Sequence, residues 1–461
     1  MIPPPEQITA APQPKRVLIE TWGCQMNVAD SEEMLGLLAR ESYVLTDDPT
    51  QADLILLNTC HIREKARHKV VSRLGELRAI KAERPGLKIA VAGCVAQAEG
   101  ERLMKEAPVI DLLLGPGRIK DLPRLLNDHA ASGLKQVARG FDRHDDVTPV
   151  ANPTLTGRAE ISRFISITQG CDNFCTFCVV PFTRGREVSR PTAAILGEAR
   201  ALLATGAREL SLLGQNVNSY GQDLVASGAA PATADGPFVD LLREVLALDG
   251  LARLRFTTSN PHDFTPALAN LFATHPRMGS YLHLPVQSGS DRVLERMKRK
   301  VTRAEYEERI TWLRAIDPEL AISTDIIVGF PGETEDDFAA TLALVEAARF
   351  SFIFSFKYST RKGTAAARFR DQIPEDLKEA RLARLNALQN SITTAQNLAE
   401  IGRDRTVLVQ YESRKEPGIY YGRSEQFRLV RIPSSQDLVG QLVPVRITTA
   451  NRTALVGSVT L

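Results

Sequence analysis

The sequence predicts an α/β multidomain protein with an N-terminal parallel-sheet α/β domain, a central partial (β/α)6 barrel and a small C-terminal antiparallel β-barrel. Three observations carry that expectation. Strand-like apolar runs alternate with amphipathic stretches in two separate regions, six such repeats in the second region fall short of the eight of a closed β/α barrel, and the final stretch changes to short β-rich runs. A chain of 461 residues has room for about three domains.

In the first region, 15–135, the expected strands are Arg16 to Glu20, Asp53 to Leu57 and Leu87 to Ala92, with helices over Asp30 to Arg40 and Lys65 to Ala82. Cys24, Cys60 and Cys94 each fall within a few residues of a strand end. The strand ends of an open parallel sheet are where ligands gather. Residues 1–14 read as a flexible tail, because they are proline-rich and lack the basic start and apolar core of a signal peptide. Residues 136–158 read as a linker with no sustained apolar period.

The second region, 159–395, has strand candidates at Phe164 to Thr168, Glu209 to Leu213, Arg253 to Thr257, Tyr281 to Leu284, Ile322 to Val328 and Phe352 to Phe356. Thr302 with Glu305 and Thr334 with Asp337 have the spacing of capping boxes and mark two helix starts. A barrel left open along one side would admit a large substrate. A long helix over Glu375 to Glu400 leads into the last region, 396–461, with strands at Thr406 to Gln410, Gln426 to Ile432, Leu442 to Thr448 and Ala454 to Leu461. That region has nine Lys and Arg against six Asp and Glu, a mild excess that permits contact with an RNA backbone.

A charged fraction of 24% and a net charge of +2 are those of a soluble globular protein and say nothing for or against nucleic acid. No segment reaches the roughly 18 apolar residues of a membrane span, so no membrane partner is expected and the cytoplasm is the expected compartment. Six cysteines there point to metal binding or catalysis before disulfides.

The motif CDNFCTFC places Cys171, Cys175 and Cys178 at C-x3-C-x2-C directly after the first strand of the central region. Three thiolates can bind three irons of a 4Fe-4S cluster. The fourth iron is then open to the amino and carboxylate groups of S-adenosylmethionine, whose cleavage by one electron yields a deoxyadenosyl radical. A structural zinc site completed by a histidine is the competing reading, and no histidine follows nearby. Cys24, Cys60 and Cys94, each after a strand, make a second set of three that folding could gather at one sheet edge. His61 is a further candidate ligand, although a lone histidine is more often a surface residue.

The C-x3-C-x2-C spacing at the end of a first barrel strand resembles the radical S-adenosylmethionine superfamily. TWGCQMN at Thr21 to Asn27, NTCHIREKA at Asn58 to Ala66, GCVAQ at Gly93 to Gln97, HLPVQSGS at His283 to Ser290 and STDIIVGFPGETEDDF at Ser323 to Phe338 resemble methylthiotransferase signatures. The combination is most similar to the MiaB type, and the last region is similar to the RNA-binding TRAM domain of that family. The resemblance implies methylthiolation of an isopentenylated adenosine beside the tRNA anticodon, with two 4Fe-4S clusters. One cluster generates the radical, the other supplies sulfur, and a second S-adenosylmethionine supplies the methyl group. It also implies as partners the anticodon stem-loop of tRNA, a reducing electron-transfer protein and the sulfur and cluster assembly machinery, with the enzyme acting as a monomer.

For S-adenosylmethionine the expected contacts are Phe177 on the adenine, Gly214 and Asn216 beside Gln215 after the second strand, Ser259 and Asp325 at strand ends, and Gly329 in the turn with Pro331 and Gly332. A core role for Phe177 and a plain strand-to-helix turn at Gly329 are the competing readings. At least one of Arg184, Arg186 and Arg190 is expected to bind RNA phosphate or the cofactor carboxylate. The sequence departs from the family pattern at Trp22, His61, Thr360 and Lys362, none of them a cysteine. Three alternatives remain at this point: a related enzyme acting on a ribosomal-protein aspartate, a sibling acting on threonylcarbamoyl-adenosine, and a non-enzymatic RNA-binding protein with structural zinc.

Overall fold

The computed structural model describes residues 14–61, 64–141 and 160–460, apart from the side chains of 64–66. Residues 1–13 of the expected tail, 142–158 of the expected linker and the side chains of 63–66 lie outside the described residues. The chain divides into two compact units, 1–142 and 143–461.

In the first unit, β1 (Lys15–Trp22) leads into α1 (Gln25–Arg40). There follow β2 (Tyr43–Leu45), β3 (Leu54–Thr59), α2 (Glu64–Glu83), β4 (Lys88–Gly93), α3 (Cys94–Glu99), β5 (Leu112–Leu114) and β6 (Gln136–Ala138). The strands form one parallel sheet in the order β2-β1-β3-β4-β5-β6. The centre of the sheet reads LILLNT and is buried at every position, as a strand covered on both faces must be. Ile55, Leu57 and Val91 pack there against Val70, Leu74 and Leu77 of α2. The short strands β2, β5 and β6 carry too few residues for a period to show, and β6 extends the sheet into residues expected to be linker.

The second unit contains β7 (Ser162–Ser166), the antiparallel pair β8 (Thr168–Gln169) and β9 (Val188–Ser189), then β10 (Glu209–Leu213) and β11 (Arg253–Phe256). It continues with β12 (Tyr281–His283), β13 (Ala321–Val328) and β14 (Phe352–Lys357). Six of these strands form two parallel sheets, β11-β10-β7 and β12-β13-β14, joined by a parallel bridge between Leu254 and Met278. One hydrophobic core runs under both, through Ile165, Leu212, Phe256, Leu282, Ile326 and Ile353. The result is the expected partial barrel. Thr302 and Thr334 each accept from the backbone N–H three residues on and receive the reciprocal capping bond, so both capping boxes are present.

The helix Glu375–Leu398 packs on β14 and hands the chain to a closed barrel of five strands in the order β15-β16-β17-β19-β18. These are β15 (Asp404–Glu412), β16 (Ile419–Arg423), β17 (Leu429–Pro433), β18 (Leu442–Ala450) and β19 (Leu455–Val459). The sequence reading missed β16, whose five residues IYYGR include a glycine and are half-buried, so neither length nor apolar content marks them. The small barrel docks on the amino-terminal ends of β10 and β11. Arg253 Nη1 donates to the carbonyl of Arg423 at 2.8 Å, and Arg255 Nη2 to that of Ser424 at 2.9 Å. Arg255 Nε also pairs with buried Glu209 at 2.9 Å. No helix among the described residues is long and apolar enough to cross a membrane.

Candidate active site

The first three cysteines are positioned by strand register. Trp22 of β1 pairs with Thr59 of β3, and Thr59 with Gly93 of β4. Cys60 and Cys94 therefore each follow a register partner by one residue, and Cys24 follows Trp22 by two. Adjacent strands lie about 4.8 Å apart, so three thiols share one sheet edge. The Cys60 N–H donates to the Trp22 carbonyl at 3.0 Å.

Buried polar side chains fix these strand ends. Asn58 Nδ2 donates to the Asn27 carbonyl at 2.7 Å and to Ser31 Oγ at 2.9 Å, and Asn27 Nδ2 donates to Asn58 Oδ1 at 3.1 Å. Ser31 in turn meets Thr21 Oγ1 at 2.7 Å. A Cβ at Gly93, whose φ is +88°, would lie 2.4 Å from Asn58 Oδ1, so only glycine fits. Cys24 is exposed and N-caps the 16-residue α1, where the helix dipole favours a thiolate, while Cys60 and Cys94 are buried.

The second set lies on the loop after β8. Gly170 has a φ of +82°, and a Cβ there would sit 1.9 Å from the Arg186 carbonyl, because the Cys171 N–H donates to the adjacent Gly185 carbonyl at 3.2 Å. Thr176 anchors the other side: its N–H donates to Met297 O at 3.0 Å and its hydroxyl to Arg296 O at 2.9 Å. Donors surround the sulfurs. Asn173 Nδ2 lies 3.6 Å from Cys171 Sγ, Arg299 Nη1 3.7 Å from Cys175 Sγ, and the Val180 N–H 3.5 Å from Cys178 Sγ.

Burial, with the neighbouring Cys175 and Cys171 thiols adding to it, pushes the Cys178 thiol up to about 12. Burial also raises Cys171. A shared positive centre would offset the burial that holds the Cys171 and Cys178 thiols neutral, and three cysteine sulfurs on one loop are the donor set of iron-sulfur ligation. Among the described residues no three His, Cys, Asp or Glu side chains converge as ligands of a single metal ion would.

Beside this loop, the ends of β8, β10 and β11 present buried polar atoms without partners among the described residues: Thr168 Oγ1, Gln215 Nε2, Asn216 Oδ1 and Ser259 Oγ. Such atoms are costly unless a ligand satisfies them, which suits a polar cofactor there. Gly214 permits the approach, since a Cβ would lie 2.2 Å from Thr168 Oγ1. Asn216 Nδ2 donates to Asp263 at 2.7 Å. Phe177 is half-buried and packs on Val293, Met297, Phe330, Tyr358 and Ala366. Gly329 adopts a φ of +69° with Lys378 filling the space of a Cβ, and its N–H donates to Glu333 at 3.0 Å.

Asp325 lies across from Phe354 in the β13–β14 register, with His283 Nε2 at 3.5 Å. Burial pushes that imidazole down to about 4, and its Nδ1 meets Ser323 Oγ at 2.8 Å. Of the three arginines, Arg190 is buried against Glu198 at 2.7 Å, Arg184 is buried, and Arg186 pairs with Asp172 and lies over the Phe174 ring at 5.2 Å. The structure thus gives Arg190 and Arg186 partners within the protein. His283 and Arg299 were not expected as site residues, although His283 opens the motif HLPVQSGS.

Two family models match the chain: "Radical SAM superfamily" over 165–345, and "Uncharacterized protein family UPF0004" over 16–115, the segment holding the first three cysteines. A protein from Syntrophotalea carbinolica described as tRNA-2-methylthio-N(6)-dimethylallyladenosine synthase is 44% identical, over 96% of this chain and 99% of that one. Proteins of the same description from Cereibacter sphaeroides (46% identical; 96% of this chain, 98% of that one) and Xanthomonas axonopodis pv. citri (44%; 100% and 95%) also match. In fold, the chain is similar to the radical S-adenosylmethionine methyltransferase TsrM from Kitasatospora setae, with a TM-score of 0.53 at 15% identity over 74% of this chain and 72% of that one. It is likewise similar to the cobalamin-dependent radical enzyme OxsB, with a TM-score of 0.52 at 12% identity over 82% and 57%. The site and fold are those of a radical S-adenosylmethionine enzyme, a class that binds this cofactor and a 4Fe-4S cluster. Within that class the chain belongs to the MiaB-type tRNA methylthiotransferase family.

Proposed function

We propose that this chain is a tRNA-2-methylthio-N(6)-dimethylallyladenosine synthase, converting N(6)-isopentenyladenosine beside the anticodon into its 2-methylthio derivative. The observation that carries the reading is the presence of both cysteine sets, each built onto strand ends by its own supporting contacts, in a chain of 44–46% identity to synthases of that description.

The carbon to be modified bears a C–H bond that is neither acidic nor open to a nucleophile, which calls for a radical route. Cys171, Cys175 and Cys178 would hold a cluster able to supply the electron for cleavage of S-adenosylmethionine, Cys24, Cys60 and Cys94 would hold one able to supply sulfur, and a second S-adenosylmethionine would supply the methyl group. The chain's own residues bind and orient. Arg299 and Asn173 donate to the sulfurs of Cys175 and Cys171, and Gly170 lets the loop turn closely over Gly185 and Arg186. Asn216 and Ser259 offer unpartnered buried oxygens to the cofactor beside the close approach at Gly214. Phe177, packed on one side, offers its remaining surface to the adenine, Asp325 its carboxylate, and Gly329 its main chain. The C-terminal barrel and the mouth of the partial barrel receive the anticodon stem-loop. A reducing electron-transfer protein and the cluster assembly machinery complete the cycle in the cytoplasm, with the enzyme acting as a monomer.

The test is reconstitution with iron and sulfide, followed by incubation with dithionite, S-adenosylmethionine and tRNA carrying isopentenyladenosine. The methylthio nucleoside is expected in the digest. Cofactor cleavage without any sulfur in the tRNA would overturn the assignment.

A further inference from the structure

We propose that Phe354, with Phe352 beside it on the same strand, holds the N(6)-dimethylallyl group of the substrate nucleoside on the inner wall of the partial barrel. The inference rests on the functional reading above and names the subsite that reads the substituent already present on the adenine.

The bridge from Leu254 of β11 to Met278, just before β12, sets the strand order β7-β10-β11-β12-β13-β14, so β7 and β14 flank the open side of the barrel. Along β14 the side chains alternate between two faces. Ile353 enters the core, and Ser355 Oγ donates to Asn386 Oδ1 of the helix Glu375–Leu398 at 2.6 Å. Phe352 and Phe354 therefore turn the other way, toward the barrel interior, where they stay 46% and 38% exposed. Their rings meet edge to face with centroids 4.6 Å apart. Exposed apolar rings on a concave face mark a place that a ligand covers.

The rest of this wall shows which kind of ligand. Ser323 is level with Phe352, and Asp325 with Phe354. The polar groups satisfy one another: the Tyr281 hydroxyl meets Ser323 Oγ at 2.6 Å, and His283 Nδ1 meets the same oxygen at 2.8 Å. His283 Nε2 lies 3.5 Å from Asp325, and the ring packs edge-on against Phe354 with centroids 5.5 Å apart. Burial keeps that imidazole neutral at physiological pH. Toward the start of the strands, Tyr281 stacks on Phe427 of the small barrel at 4.8 Å, and Arg255, over the Phe427 ring, is already paired with Glu209. The wall thus offers apolar surface without a cation to spare. A threonylcarbamoyl substituent would bring its carboxylate beside Asp325 with nothing to balance it, whereas a branched hydrocarbon chain would cover the two rings at no polar cost. Asp325 is also the carboxylate offered to the cofactor, so a tail lying on its register partner Phe354 keeps the adenine next to the S-adenosylmethionine site.

The experiment measures equilibrium binding of two anticodon stem-loop RNAs, one with N(6)-dimethylallyladenosine beside the anticodon and one with adenosine there, to the iron-loaded full-length enzyme, wild type and F354A. The wild type should prefer the first RNA, and F354A should reduce that preference roughly tenfold. An unchanged preference overturns the proposal, including one that stays unchanged because both RNAs weaken equally, as they would if the rings stacked on a neighbouring base. If F354A does not retain its iron, the wild type decides: a stem-loop whose N(6) substituent carries a diazirine should label β14 on illumination, and labelling confined to other segments overturns the proposal. A wild type with no preference between the two RNAs defeats the functional reading itself.

Discussion

Asn27 and Asn58 hold each other across the end of the N-terminal sheet: Asn58 Nδ2 donates to the Asn27 carbonyl at 2.7 Å, and Asn27 Nδ2 returns a bond to Asn58 Oδ1 at 3.1 Å. Both are fully buried. Each stands near a cysteine in sequence, so the pair sets the spacing of the Cys24 and Cys60 backbones. Asn58→Ala leaves the Asn27 amide unsatisfied and should cost about 1–3 kcal/mol in stability. The variant should also lose iron from the first unit while still cleaving S-adenosylmethionine reductively; normal iron content with full thiolation would contradict that role.

The two cysteine sets predict separable losses. Reconstituted wild type should hold about eight irons per chain, and Cys24→Ala about four. Iron analysis together with a cleavage assay separates the cases: Cys24→Ala keeps cofactor cleavage and loses thiolation, whereas Cys171→Ala loses both. Loss of both activities in Cys24→Ala would mean that the sets do not divide the work.

Gly170→Ala should behave like removal of Cys171. A methyl group there meets backbone rather than a flexible side chain, at a φ of +82°. Electron paramagnetic resonance of the reduced protein should show the central cluster diminished or absent, and an unaltered spectrum would contradict the reading.

Much of this was legible in the sequence, for physical reasons. A C-x3-C-x2-C loop is local, so its three thiols are set by spacing alone. The other three cysteines needed the sheet order, and the alternation of strand and helix supplied it. What could not be read were groups whose role depends on distant partners. Arg299 reaches Cys175 Sγ across 124 residues of sequence. Gly329, read as a cofactor turn, has a packing reason in Lys378 from a helix almost fifty residues on. Arg190 turns inward to Glu198, which only the folded helix Thr192–Ala204 brings close.

The docking of the small barrel gives a pH prediction. Glu209 is almost fully buried; burial alone would raise its carboxyl, but Arg255 and Arg253 outweigh it and hold the group below its ordinary value. A carboxylate lowered in the folded state stabilises it above the unfolded value and loses that contribution as pH falls through the folded one. The stability of Glu209→Gln against thermal unfolding should therefore be lower than that of the wild type near neutrality, by about 3–5 kcal/mol for a broken buried pair, and the gap to wild type should close on acidification below about 4.5. A gap independent of pH would rule out the ion pair as its source.

The account's central claim is tested most directly by the nucleoside profile of bulk tRNA from a strain lacking this protein. The account predicts that 2-methylthio-N(6)-isopentenyladenosine disappears, N(6)-isopentenyladenosine accumulates in its place, and the wild-type gene restores the first at the expense of the second. A profile unchanged by the deletion would contradict it.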